Sequence, residues 1–144
     1  MSGEERTWRD DGRCLVCGPA NAHGLHLTFR RGEDGAALAK GEVPEHMQGF
    51  VGRSHGGIVS AILDEAMYYA VALGGMPGVA TAELKVRFLR PLPTATPFQV
   101  EARCLRRSRR FARTQAVLRV AGEPVAEAEA TFLPVPSDIE IQGE

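Results

Sequence analysis

Two short alternating segments, one long apolar helix and four strongly alternating segments predict an α+β domain. In it, a curved antiparallel sheet of about six strands wraps a single central helix. The helix is read from the stretch between Gly56-Gly57 and Gly74-Gly75, where helix formers and apolar residues run almost unbroken. The strands are read from period-two alternation on either side, cut to length by glycine and proline. Strands that follow one another through short turns pair as hairpins, and a sheet of this size twists enough to close around a helix.

The chain has 144 residues, enough for one domain with a real core. Its 17 basic and 18 acidic residues balance, which gives no electrostatic reason to expect nucleic acid or an anionic membrane. No uncharged apolar run reaches spanning length, and the start M-S-G-E-E-R-T-W-R-D-D has no signal-peptide core. Three cysteines form no disulfide framework and fit a reducing compartment. The expectation is a soluble, cytoplasmic, single-domain protein.

Residues 1–12 are charged and unpatterned and read as a flexible arm; residues 13–136 form the domain. Arg13 to Asn21 is turn-rich and holds Cys14-x-x-Cys17, with His23 and His26 close behind. A closed zinc site needs four ligands at tetrahedral angles. His26 falls inside an alternating segment that would point it away from Leu25 and Leu27, so the cysteines read as two packed thiols and no metal is expected. Leu25, Leu27 and Phe29 alternate with His26, Thr28 and Arg30 as a first strand, and 38–43 is a second, with a turn at 32–35. Residues 44–54 form a loop carrying His46 and Gln48 into the helix.

After the helix, Leu84, Val86 and Phe88 oppose Glu83, Lys85 and Arg87 until Pro91 and Pro93. Phe98 to Cys104 and Thr114 to Val120 repeat the alternation, and Gly122-Glu123-Pro124 turns the chain into a last strand ending at Pro134. Residues 137–144 read as a flexible acidic tail. An exposed edge strand in such a sheet favours pairing with a second copy.

Two acids in a largely apolar helix require a partner or a role. At 100° per residue, Gly57, Ser60, Asp64 and Tyr68 share one stripe, while Ile58, Val59, Ile62, Leu63, Ala66, Tyr69, Ala70 and Leu73 take the broad opposite side; Glu65 is turned away from both glycine and Asp64. Gly56 and Gly57 leave amide N–H groups uncovered at the positive end of the helix, suited to an anion or a polarised carbonyl. A core helix with a glycine start and a solvated acid pair fits the same residues equally well. Between Arg103 and Arg113 lie six arginines, which suit ligand phosphates or, for most of them, a solvated hairpin.

The segments S-H-G-G-I-V-S-A-I-L-D-E-A (54–66), T-A-E-L-K-V-R-F-L-R-P-L-P (81–93) and C-L-V-C-G-P-A-N-A-H-G-L-H-L (14–27) resemble the hotdog-fold thioesterases, in the branch related to phenylacetate-pathway and 4-hydroxybenzoyl-CoA enzymes. The resemblance implies a homodimer with a continuous sheet, often a dimer of dimers, hydrolysing an acyl-CoA thioester with no cofactor beyond that substrate. It implies that the Gly57 N–H polarises the carbonyl, that His55 shapes the helix start, and that Asp64 acts as general base or nucleophile. Gln48 stands where relatives often carry an amide side chain. Gly56, Ser60, Tyr68, Arg107 and Arg109 are the expected substrate contacts. The alternative is a hotdog module that binds acyl-CoA without turnover; a hydratase fits the residue pattern less well. Seven residues along a helix separate Gly57 from Asp64 by about 10 Å, so a two-fold partner is expected to complete each site.

Overall fold

A computed structural model describes residues 7–141. The expected arm and tail extend beyond it, so their residues 1–6 and 142–144 lie outside the described residues. Six strands and one helix follow in the order β1 (Arg30–Arg31), β2 (Ala37–Gly41), α1 (Gly56–Ala72), β3 (Val79–Phe88), β4 (Phe98–Arg107), β5 (Ala112–Val120) and β6 (Glu123–Pro134). All strands pair antiparallel in one sheet ordered β1-β2-β4-β5-β6-β3. The hotdog arrangement predicted from the sequence is the one observed.

The helix lies on the side chains of the sheet's inner face. Ala126, Ala128 and Ala130 of β6 stand opposite Leu118, Ala116 and Thr114 of β5, and all six are buried. Small residues let the helix approach closely, while Phe98, Val100, Leu118 and Phe132 fill the space around it. Thr114, the one buried polar residue among those described, donates its hydroxyl to the Ala130 carbonyl at 3.0 Å. Inside α1, Val59, Ile62, Leu63, Ala66, Met67, Ala70 and Val71 are buried. Val71 is fully buried, since the sheet wraps far around the helix.

The first strand differs from expectation. Residues 25–29 pair with no strand, and only Arg30–Arg31 joins the sheet. The Leu25 and Leu27 amides donate instead to the Leu15 and Val16 carbonyls, and His26 sits at a φ of 54°, which interrupts extended backbone. Leu27 and Phe29 are still buried. The alternation reported burial rather than strand pairing.

β3 occupies a sheet edge and bonds only to β6. Its register slips between Thr81 and Glu83. This bulge lets Thr81, paired with Phe132, share the inner face with Leu84, paired with Ala130, although the two are three residues apart. Leu84 and Phe88 are 37% and 54% exposed because the edge strand overhangs the helix. Near the chain ends, the Trp8 amide donates to the Pro136 carbonyl at 2.9 Å, and Trp8 bridges Ser137. Among the described residues no helix is long and apolar enough to cross a membrane.

Candidate active site at the helix start

Helix α1 begins where three backbone anchors fix it. The Ser54 amide donates to the Leu92 carbonyl, the His55 amide to the Met47 carbonyl, and the Ile58 and Val59 amides to the His55 carbonyl. His55 is the N-cap, with φ −60° and ψ 136°. Its Nδ1 accepts the Gly57 N–H at 2.8 Å, so the neutral ring carries its proton on Nε2. The expected carbonyl-polarising donor, the Gly57 N–H, is therefore already engaged. The Gly56 N–H, one step earlier at the first helical position, carries no hydrogen bond among the described residues. An unclaimed amide at the positive end of a 17-residue helix is a donor for an oxyanion.

A groove of ≈ 680 Å³ opens at this point, walled by Gly49, Phe50, Arg53, Ser54, His55, Gly56, Phe88 and Leu89, with Arg90 at its rim. A Cβ on Gly56 would sit 3.6 Å from the Phe88 ring, so the aromatic side chain from β3 lies directly over the helix start. The Ser54 hydroxyl is buried in this wall with no hydrogen-bond partner among the described residues. Neither Arg53 nor Arg90 is in an ion pair among the described residues. The sequence reading gives neither arginine a functional role: Arg53 lies in the loop before the helix and Arg90 at the end of the alternating segment 82–90.

Gln48 belongs to the loop rather than the groove. Its Oε1 accepts the Gly52 amide at 3.1 Å, and its backbone bridges Ser54. It thus holds the 48–54 turn that presents His55.

Two turns along α1, Asp64 accepts the Thr81 hydroxyl at 2.6 Å. Burial raises its pKa above the ordinary aspartate value, and the Thr81 bond opposes that rise. Thr81 escaped the sequence reading because only the β3 bulge turns it toward the helix. Ser60 and Tyr68, on the same stripe, spend their hydroxyls on the Gly56 and Pro77 carbonyls at 2.8 and 2.7 Å.

The arginine cluster sits elsewhere. Arg107 donates to the Gly74 carbonyl just past the far end of α1, and Arg106 and Arg113 lie over the Phe111 ring at 5.7 and 5.9 Å. Arg103 pairs with Asp34 at 2.5 Å. Arg109 is exposed in the β4–β5 turn. Within one chain Arg107 stands at the opposite end of the helix from Gly56, roughly 25 Å for 17 residues.

Glu65 points away from Asp64 toward the N-terminal segment. Its Oε1 lies 3.1 Å from Cys17 Sγ and 3.5 Å from Cys14 Sγ. Burial pushes its pKa up to about 8, with the Cys14 charge adding to the rise.

Comparison with known proteins places this geometry in a context. A family model described as the acyl-CoA thioesterase N-terminal domain matches residues 43–133, more than half of the chain. A protein named as an esterase in Saccharolobus solfataricus is 35% identical over 88 residues, which is 60% of this chain and 58% of that protein. A crystal structure of a thioesterase superfamily protein superposes with a TM-score of 0.78 at 29% identity, over 84% of this chain and 63% of the other. A protein of Ralstonia eutropha JMP134, described as a thioesterase related to phenylacetic acid degradation, gives 0.71 at 28%, over 80% and 89%. The chain thus spans less than two thirds of the length of the first two of these relatives.

Proposed function

The chain belongs to the acyl-CoA thioesterase family, and from that premise we propose that it hydrolyses acyl-CoA thioesters at the start of α1. The observation that carries this reading is the unclaimed N–H of Gly56, a residue at the positive end of the helix that lines a groove with apolar walls and two arginines. A thioester carbonyl accepting that N–H gains stabilisation as its oxygen becomes an oxyanion. Asp64 then either takes a proton from the attacking water or attacks the carbonyl carbon itself. In the first route water adds to the carbonyl carbon, the C–S bond breaks and the CoA thiolate takes up the proton as the free acid forms. In the second, CoA leaves from an Asp64 acyl anhydride that water then hydrolyses, which releases the acid and restores the carboxylate.

Gly56 replaces Gly57 as the donor in this scheme, and the Gly57 N–H orients the His55 ring at the groove wall. Phe50, Phe88 and Leu89 offer apolar surface to the acyl group. Arg53 and Arg90 suit the phosphates of CoA better than the β4–β5 cluster does, because they line the same groove as Gly56.

Eight residues separate Gly56 from Asp64, about 12 Å along one helix. A carboxylate reaches only a few ångströms from its backbone, so one chain does not bring both groups to one carbon. The exposed β3 edge, with Leu84 and Phe88 uncovered, suits pairing with a second copy of itself. In such a homodimer the Asp64 of one protomer would face the Gly56 of its partner.

Gly56→Pro tests the scheme cleanly. Proline is tolerated at a first helical position, and the extended backbone of His55 suits the residue before proline. The substitution removes the N–H and also sets ring carbons beside Phe88, for which Gly56→Ala is the partial control. Across a panel of short, medium, long and aromatic acyl-CoAs, kcat should fall roughly 10²–10³-fold in Gly56→Pro and stay near wild type in Gly56→Ala. Undiminished turnover in Gly56→Pro would refute the donor. Tight acyl-CoA binding without turnover by the wild type would show a binding module instead.

A further inference from the structure

The turn at 14–18 folds two sulfurs onto the central helix. The Gly18 amide closes it on the Cys14 carbonyl at 2.9 Å. Only glycine fits there, since a Cβ on Gly18 would lie 2.3 Å from the Cys14 nitrogen. Cys14 Sγ, Cys17 Sγ and a Glu65 carboxylate oxygen then lie within 4.8 Å of one another. The Val16 amide donates to Cys14 Sγ at 3.4 Å, and the Tyr69 hydroxyl, one turn beyond Glu65, donates to Cys17 Sγ at 3.3 Å. No basic side chain pairs with Glu65 among the described residues.

We propose that Cys14, Cys17 and Glu65 bind one zinc ion, with the fourth position open to water or an external ligand. Zn–S bonds of about 2.3 Å and a Zn–O bond of about 2.1 Å at tetrahedral angles set each S···O edge near 3.6 Å. The observed 3.5 and 3.1 Å need shifts of only about 0.1 and 0.5 Å to reach it. Two thiolates and a carboxylate converging in a half-buried pocket repel one another, and a divalent cation is the partner that lets all three ionise together. Thiolate donors select zinc over magnesium or calcium. The Val16 and Tyr69 donors supply the outer hydrogen bonds that orient such ligands.

The sequence reading expects no metal because it places His26 in an alternating strand; no strand forms there, and His26 Nε2 meets the Asn21 carbonyl instead. What spacing could not show is Glu65, 48 residues beyond Cys17. Bound metal would tie the N-terminal segment to the helix across that interval and stabilise the fold.

The test is a metal titration of the reduced, chelator-stripped full chain, first with Co²⁺ and then with Zn²⁺. The expected result is saturation at one equivalent per chain, with thiolate-to-cobalt charge-transfer absorption that zinc abolishes, and a higher Tm with metal bound. Cys14→Ser and Glu65→Gln, each first shown to be folded by circular dichroism, should weaken the metal more than roughly a hundredfold, beyond the loss typical of an outer-shell partner. A wild-type protein that takes up no metal while both thiols are free would overturn the proposal, without recourse to any variant. So would unchanged affinity in Glu65→Gln, and so would a Cys14–Cys17 disulfide that persists under the reducing conditions of the titration.

Discussion

Asp64 and Glu65 are neighbours in the chain and strangers in the fold. Asp64 meets a hydroxyl from the edge strand, and Glu65 meets two thiols from the N-terminal turn. The 100° step between consecutive helical residues is enough to deliver them to different surroundings. Asp64→Ala should abolish thioester hydrolysis, by at least a hundredfold in kcat, without altering fold or oligomer size. Thr81→Val is the finer probe. The Thr81 hydroxyl stabilises the ionised carboxylate, so its loss raises the Asp64 pKa further and moves the acid limb of the kcat–pH profile to higher pH. A loss on the order of tenfold below the shifted limb is expected, corresponding to one hydrogen bond to a charged group. An unmoved acid limb in Thr81→Val would dissociate Asp64 from the titrating step.

At the scale of elements, the two groups of arginines separate by where their segments end. Arg53 and Arg90 flank the helix start on loops, whereas Arg107 leaves β4 to reach the carbonyl of Gly74 beyond the helix end. Replacing Arg53 and Arg90 by alanine should raise KM several-fold for CoA esters and leave it nearly unchanged for the same acyl groups on a phosphate-free thiol. Arg107→Ala should behave as a stability variant. Losing one hydrogen bond at a helix C-terminus costs about 1 kcal/mol, or about 3–5 °C in Tm for a domain of this size. Steady-state kinetics on both substrate types, paired with calorimetry, distinguish the two roles. A rise in KM confined to Arg107→Ala would return the phosphate site to the β4–β5 hairpin.

For the whole molecule, the decisive quantity is whether one chain or two complete a site. Asp64→Ala and Gly56→Pro each remove a different group, so a mixture tests their placement. If the site is shared, half of the randomly re-associated dimers are mixed and each holds one intact site. Activity should then return to roughly a quarter of wild type. If both groups served the same chain, every mixed dimer would be inactive. A flat baseline after verified subunit exchange would exclude the shared site. The free edge of β3 makes the first outcome the expected one, since its backbone groups and two uncovered apolar side chains are otherwise left to water.

The sequence by itself determined the elements whose signals are local. Period-two alternation located β4, β5 and β6, because each residue on those strands is either under the helix or outside it. The glycine pairs and the apolar run located α1 to within a residue, and the stripe joining Gly57 to Asp64 followed from helical geometry alone. Tertiary structure decided the features that depend on which segments meet. Residues 25–29 alternate yet form no strand, because their amides turn to 15–16 instead of a sheet neighbour. The β3 bulge brings Thr81 to Asp64, and no pattern in the chain marks a slipped register. His55 takes the Gly57 N–H and leaves that of Gly56 open, a choice of one side-chain rotamer. Cys17 meets Glu65 across 48 residues in a turn that the Leu25 and Leu27 amides hold by bonds to the Leu15 and Val16 carbonyls. Periodicity encodes burial, which each residue satisfies on its own; partnership needs two residues, and only the folded chain chooses the second.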